Sequence, residues 1–280
     1  AALAMATVVG GAMFGDNLSM ISDTTIAAVR TQKTQMSDKF KVNFRIVVPG
    51  ALITIVLLWW LTMGYQIDHT KTYDYEWFKV IPYLLVLILA IIGVNVILVL
   101  LGGVALAGVI GLIDHAFSFA GLLKVISEGI IGMQDIAMIA LLIGGMIGLV
   151  EHHGGITWLL NFVKSRVKSR RGAEFGIAGL VSIADISTAN NTISIIMAGP
   201  LAKEIADEYQ IDARKSASIL DIFGSAFQGF VPYSPQLIAA AGVASISPVM
   251  LLPYSIYPIM LALCGVVAII FNLPRLERKK

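Results

Sequence analysis

Apolar residues fall in long runs along this chain, and polar residues fall in short islands between and within those runs. Residues 46–63 are an uninterrupted apolar run. At about 1.5 Å per residue they predict a helix that spans most of a bilayer core of about 30 Å. Residues 80–113 carry no charge and are too long for one span, so two helices turning near Gly93-Val94-Asn95 are expected. Residues 135–150 and 249–272 predict further spans, and residues 116–132 a shorter connecting or interfacial helix. Three apolar stretches are interrupted: 1–29 by Gly15 to Thr25, 174–206 by Asp185 to Thr192, and 216–245 by Phe223 to Gly229 and Val231 to Pro235. Neither arm of the middle stretch, Phe175 to Ala184 or Ile193 to Ala202, approaches the ~20 residues of a span. A helical hairpin with a polar tip is the form that fits.

Composition turns this pattern into a fold class. The chain of 280 residues is 57% hydrophobic and only 14% charged, with mean hydropathy +0.83. A soluble domain carries about 25% charged residues. The expected class is therefore all-α: a polytopic membrane protein with inverted repeats, broken transmembrane helices and a re-entrant helical hairpin. Basic residues cluster at 30–45, 164–172 and the C-terminus, which places all three on the cytoplasmic side. Residues 64–79, with Tyr65, Tyr73, Tyr75 and Trp77, suit the opposite interface. The single cysteine, Cys264, excludes an intramolecular disulfide and a Cys-based zinc site. His152 and His153 are neighbours and point apart on a helix, so they read as a polar interruption rather than a metal pair. No nucleotide-binding, Ser-His-Asp or metal-ligand pattern is present, so neither an enzyme nor a nucleic-acid binder is expected, and no cofactor.

Two parts of the chain rhyme. Phe14-Gly15, a polar break and Thr25-Ile26-Ala27-Ala28 precede the span at 46–63. Phe223-Gly224, a polar break and Gln236-Leu237-Ile238-Ala239-Ala240 precede the span at 249–272. The basic clusters give the copies opposite orientation. Residues 1–63 are read as the end of a first inverted repeat, 64–79 as an extracytoplasmic linker and 80–280 as a second inverted repeat. The first copy's hairpin would lie upstream of residue 1, so the chain is expected to be the C-terminal portion of a longer protein.

Paired breaks in inverted repeats mark the binding site of a secondary transporter. Carboxylates, amides and hydroxyls inside such breaks are hard oxygen ligands suited to a small monovalent cation. The candidates are Asp16, Asn17, Ser19, Ser22, Asp23, Thr24 and Thr25 in the first break, and Asp185, Ser187, Thr188, Asn190, Asn191 and Thr192 in the second. Gln228 and Ser234 belong to the third. A buried aspartate that holds either Na⁺ or H⁺ exchanges them by competition. Asp16, Asp23 and Asp185 are the tentative Na⁺ ligands, with Asp16 favoured as the shared carboxylate. Asp23 and Asp185 are also placed to cap the helices that follow. Asp221 precedes its break and reads as structural.

The run Gly15-Asp16-Asn17-Leu18-Ser19-Met20-Ile21-Ser22-Asp23-Thr24-Thr25 resembles a motif close to G-D-K-L-S-P-L-S-D-T-T of the NhaC family of Na⁺/H⁺ antiporters, and Gly11-Ala12 and Phe14 agree with it. The order of helices and breaks matches over the whole chain. The resemblance implies Na⁺/H⁺ exchange at the cell membrane, with Na⁺, H⁺ and the lipid bilayer as partners and a homodimer as an option. Asn17 stands where a lysine is usual and Met20 where a proline is usual. The first departure removes a fixed positive charge beside Asp16, which bears on stoichiometry and on substrate. A Na⁺- or proton-coupled organic acid carrier of malate/lactate type is the alternative on the same scaffold, with Asn190, Asn191 and Thr192 meeting the carboxylate. An intramembrane aspartyl protease is disfavoured, because Asp16 follows Met13-Phe14-Gly15 and Asp185 follows Ala184, which fit neither Y-D nor G-x-G-D. A membrane scaffold without transport leaves the clustered polar breaks unexplained.

Overall fold

The computed structural model describes residues 1–19, 22–64, 76–92, 96–132 and 169–276, with scattered positions between 134 and 162. The described residues are helical with short connections, as the apolar runs predict. Two compact units form, Ala1–Met63 with Met138–Lys280, and Gly64–Ala137.

The larger unit contains α1 (Ala2–Asn17), α2 (Asp23–Gln32) and α3 (Met36–Thr62). The smaller contains α4 (Trp77–Ile92), α5 (Val96–Ile113) and α6 (Phe119–Gly132). The larger unit resumes with α7 (Arg170–Thr188), α8 (Asn191–Glu208), α9 (Ala213–Gln228) and α10 (Pro235–Ala244). A 3-10 helix (Pro248–Tyr254) and α11 (Ile256–Ile270) close it. In the smaller unit α4 packs on α5, and Lys79 pairs with Asp114 at 2.7 Å. The expected turn at 93–95, and most of the expected span at 135–150, lie outside the described residues.

α9 is the centre of the larger unit. It packs against α7, α8, α2, α3 and α11, and its residues Lys215 to Ala226 are buried without interruption. α1 rests on α10, the 3-10 helix and α11. α3 has 27 residues and a mean hydropathy of 2.0, long and apolar enough to cross a membrane. α10 and the 3-10 helix are apolar together but bent by 103° at their junction.

The structure differs from the sequence expectation in several places. The expected span at 249–272 divides into the 3-10 helix and α11, and the interruption expected at Asp185 to Thr192 narrows to residues 189 and 190, with Asp185, Ser187 and Thr188 inside α7. Residues 30–45 were expected as a polar loop, yet only Lys33–Gln35 connect α2 to α3. The buried residues Lys39, Val42, Asn43, Ile46, Val47, Gly50 and Thr54 recur every three or four positions, the period of one helix face. The polar residues therefore open the long helix instead of preceding it. The interruption expected at Phe223 to Gly229 is also shorter, because α9 runs on to Gln228. Gly224 is helical, and its missing side chain is where Asn191 and Val181 approach α9. The chain leaves helical form only between Gly229 and Ser234, and Pro235 starts α10 at the first-turn position where its missing N–H costs nothing.

Candidate functional site

Each interruption has a local cause. α1 ends at Asn17, whose side chain turns inward with no exposure. α2 restarts at Ser22, whose hydroxyl caps it by accepting from Thr25 N at 3.3 Å. α7 ends at Ala189, held in the left-handed region with φ 49°. α8 restarts at Asn190, whose side chain accepts from Ile193 N at 3.0 Å. Thr188 fastens the two-residue tip by donating to Asn190 O at 3.1 Å.

The three interruptions are close together. Asp23 Oδ2 in the first accepts the Thr192 hydroxyl of the second at 2.7 Å. Gln228, at the third, donates to Ala189 O at 3.5 Å. Tyr233 donates to Ile186 O at 2.5 Å. Ser187 is set apart: it is exposed and its hydroxyl returns to Ile183 O within its own helix. Ser234 is buried, and its hydroxyl has no partner among the described residues.

At the centre lies a polar group that the sequence reading did not assemble. Asp221 of α9 and Lys39 of α3 form an ion pair at 2.9 Å, both without exposure. Asn43 donates to the same Asp221 oxygen at 2.6 Å and to the Asn17 carbonyl, freed by the end of α1, at 2.8 Å. Asn17 Nδ2 stands 3.3 Å from that oxygen, and Asn17 Oδ1 accepts from Tyr257 at 3.0 Å and Ser225 at 3.3 Å. Ser218 closes the group by donating to Asn43 Oδ1 at 2.5 Å. Asn17 carries no charge, but an ammonium from position 39 reaches the carboxylate that Asn17 touches.

A row of hydroxyls joins this centre to Asp16. Thr24 donates to Asp16 Oδ2 at 3.1 Å, and Ser22 Oγ lies 3.0 Å from Thr24 Oγ1. Ser22 donates to Thr25 Oγ1 at 3.0 Å, and Lys39 donates to that same oxygen at 2.7 Å. Thr25 gives its own proton to Ser19 O at 2.9 Å. Asp16, Asn17, Ser19, Ser22, Thr24 and Thr25 thus form one connected set. Asp23 borders it as the first residue of α2, where a carboxylate favours the helix dipole.

Asp185 lies on the other flank, on α7, with no exposure. Among the described residues no donor meets either of its oxygens in hydrogen-bond geometry. Ser194 stands beside it but donates to Asn191 O at 2.7 Å. Asn191 Oδ1, set against Gly224, is a further buried acceptor without a donor among the described residues.

Interrupted helices that gather carboxylates, amides and hydroxyls in a buried place define a class, the helical ion transporters. The chain belongs to the Na⁺/H⁺ antiporter family, whose model matches residues 78–273 and so takes in Asp185, Asn191 and Asp221. Membership makes it a membrane protein of a transporter family. Among its relatives is a protein of Bacillus subtilis named Malate-2H(+)/Na(+)-lactate antiporter, 25% identical over 90% of this chain and 60% of the relative. Another is the Na(+)/H(+) antiporter NhaC of the same organism, 25% identical over 95% of this chain and 65% of the relative. The chain thus spans somewhat under two thirds of the length of these relatives. No solved structure gives a significant match.

Proposed function

We propose that the protein is a secondary active transporter exchanging Na⁺ for H⁺ across the cell membrane. In this reading the chain crosses the membrane several times in two inverted repeats, with its C-terminus on the cytoplasmic side. α7 and α8 form a re-entrant hairpin, and the interrupted helices meet near the midplane, where non-helical backbone survives only inside protein or beside water.

Asp185 is the observation that carries the reading: a carboxylate with no exposure and, among the described residues, no hydrogen bond to either oxygen. Ionised, such a group is tolerable only beside a cation; without one it takes up a proton. A site that holds one or the other exchanges them by competition. Asp16 is its companion across the site, at the first interruption. The name of the relative NhaC supports the same reading.

Organic acid exchange is the second reading, supported by the name of the malate/lactate relative and by the buried ammonium of Lys39. Four aspartates, 16, 23, 185 and 221, against that one ammonium favour a cation over a carboxylate substrate.

The test is proton movement in vesicles holding the full-length protein. A Na⁺ gradient alone should drive it, and Asp185→Asn and Asp16→Asn should each abolish it while the protein still folds. Movement that requires added malate or lactate would decide for the second reading. Exchange at the parent rate in both variants would reject the assignment of the two carboxylates.

A further inference from the structure

The buried face of α3 delivers an ammonium to a place equipped for a free cation. Lys39 Nζ lies 2.9 Å from Asp221 Oδ2 and 2.7 Å from Thr25 Oγ1. Its neighbours there are a carboxylate and a hydroxyl, with the amides of Asn17 and Asn43 on the same carboxylate oxygen. Hard oxygens of this kind are what an alkali cation takes from a protein. A lysine ammonium is itself a compact point charge on a flexible stem. It fills the position as an ion would, except that it cannot leave.

Asp221 is not saturated by this arrangement. Its Oδ1 accepts no hydrogen bond among the described residues, although the residue has no exposure. Three donors converge on Oδ2, and among the described residues the only charge paired with it is that of Lys39, because Asn17 and Asn43 are neutral. Remove the ammonium and one buried negative charge is left with two amides. It would then need a mobile cation or a proton.

We propose that Lys39 is a tethered cation occupying an ion site at Asp221, and that it keeps the transported cation off this carboxylate. Asp16 lies within electrostatic reach of both members of the pair, so the tethered charge also bears on the neighbouring site. The mobile ion is thereby confined to Asp16 and Asp185, a consequence that rests on the exchange reading above. Lys39 thus sets how many cations the protein holds.

The experiment uses the full-length protein purified in detergent, with radioactive Na⁺ binding at equilibrium and thermal unfolding in NaCl against choline chloride. Lys39→Gln should bind one more Na⁺ per chain than the parent, and its unfolding temperature should rise more steeply with Na⁺. Lys39→Arg should show neither change, because it keeps the charge. Lys39→Gln with Asp221→Asn should lose the gain. A Lys39→Gln protein isolated only when Na⁺ is present throughout would also be the expected result. Unchanged Na⁺ binding in Lys39→Gln would overturn the proposal. So would a Lys39→Gln protein that misfolds in Na⁺ and choline alike while the double variant is sound. Failure of the exchange reading looks different: the parent would bind no Na⁺ and move no protons, whereas a Na⁺ site appearing only in Lys39→Gln would still establish the tethered cation.

Discussion

Asp221 on α9 and Asp185 on α7 are both fully buried, yet donors converge on one oxygen of the first carboxylate and, among the described residues, the second accepts no hydrogen bond. Asp221 has an ammonium and two amides at one oxygen. The Ser194 hydroxyl beside Asp185 donates to the Asn191 carbonyl. Burial alone therefore does not make a carboxylate exchangeable. Supply of donors decides: a carboxylate with a built-in partner stays charged and fixed, and one without must find its partner in solution. Charged hydrogen bonds contribute about 1.5–3 kcal/mol each, and desolvating an ion costs several.

The comparison breaks most directly at Asp221. Asp221→Asn should destabilise the folded protein by about 3–5 kcal/mol, because it strands the Lys39 ammonium. Lys39→Met with Asp221→Asn should recover much of that loss, which unfolding in detergent will show. An effect of Asp221→Asn below about 1 kcal/mol would mean that the pair is not buried in solution. Gly224→Val comes next. Its side chain would displace Asn191 and press on Val181, at a cost of about 1–3 kcal/mol. It should impair exchange through the Asp185 flank while leaving the Asp221 group in place. Ser22→Ala removes the cap of α2 and the middle of the hydroxyl row, for about 1 kcal/mol. Asp185→Asn should be the mildest for stability, within about 1 kcal/mol of the parent, since no hydrogen bond to the carboxylate is lost. That small change, set against complete loss of exchange, sharpens the contrast most; a stability loss as large as that of Asp221→Asn would erase it.

The interruptions at Asn17, Ala189 and Gly229 were legible because polar residues stood together in apolar surroundings. Lys39 and Asn43 were not, because with Arg30, Lys33, Lys41 and Arg45 nearby they read as part of a basic loop. The signal was present at longer range: positions 39, 43, 46, 50 and 54 continue one helix face from the polar residues into the apolar run. Asp221 carried a plainer signal, a lone carboxylate between Ile219-Leu220 and Ile222-Phe223, the setting in which an intramembrane charge is a functional residue by default. Its partner lies far away in sequence, and no local pattern names it. The run at Gly224 was read as part of a break because two glycines and two prolines stand in one apolar stretch, and proline interrupts the helical hydrogen-bond ladder. In the folded chain smallness serves a close approach between helices, which a one-dimensional reading does not separate from a turn.

The hydroxyl row between Asp16 and Lys39 has one member with a choice. Thr24 commits its proton to Asp16, and Thr25 commits its proton to the Ser19 carbonyl. Ser22 lies 3.0 Å from both Thr24 and Thr25, and its single proton points at Thr25. If Asp16 loses its negative charge, Thr24 is released to turn toward Ser22. Ser22 then accepts on that side and gives on the other. If a metal ion takes the Thr24 oxygen instead, the same proton must face away from it. In all three cases the Ser22 O–H stays aimed at the oxygen on which Lys39 rests, so the hydroxyl that turns with the charge on Asp16 is that of Thr24.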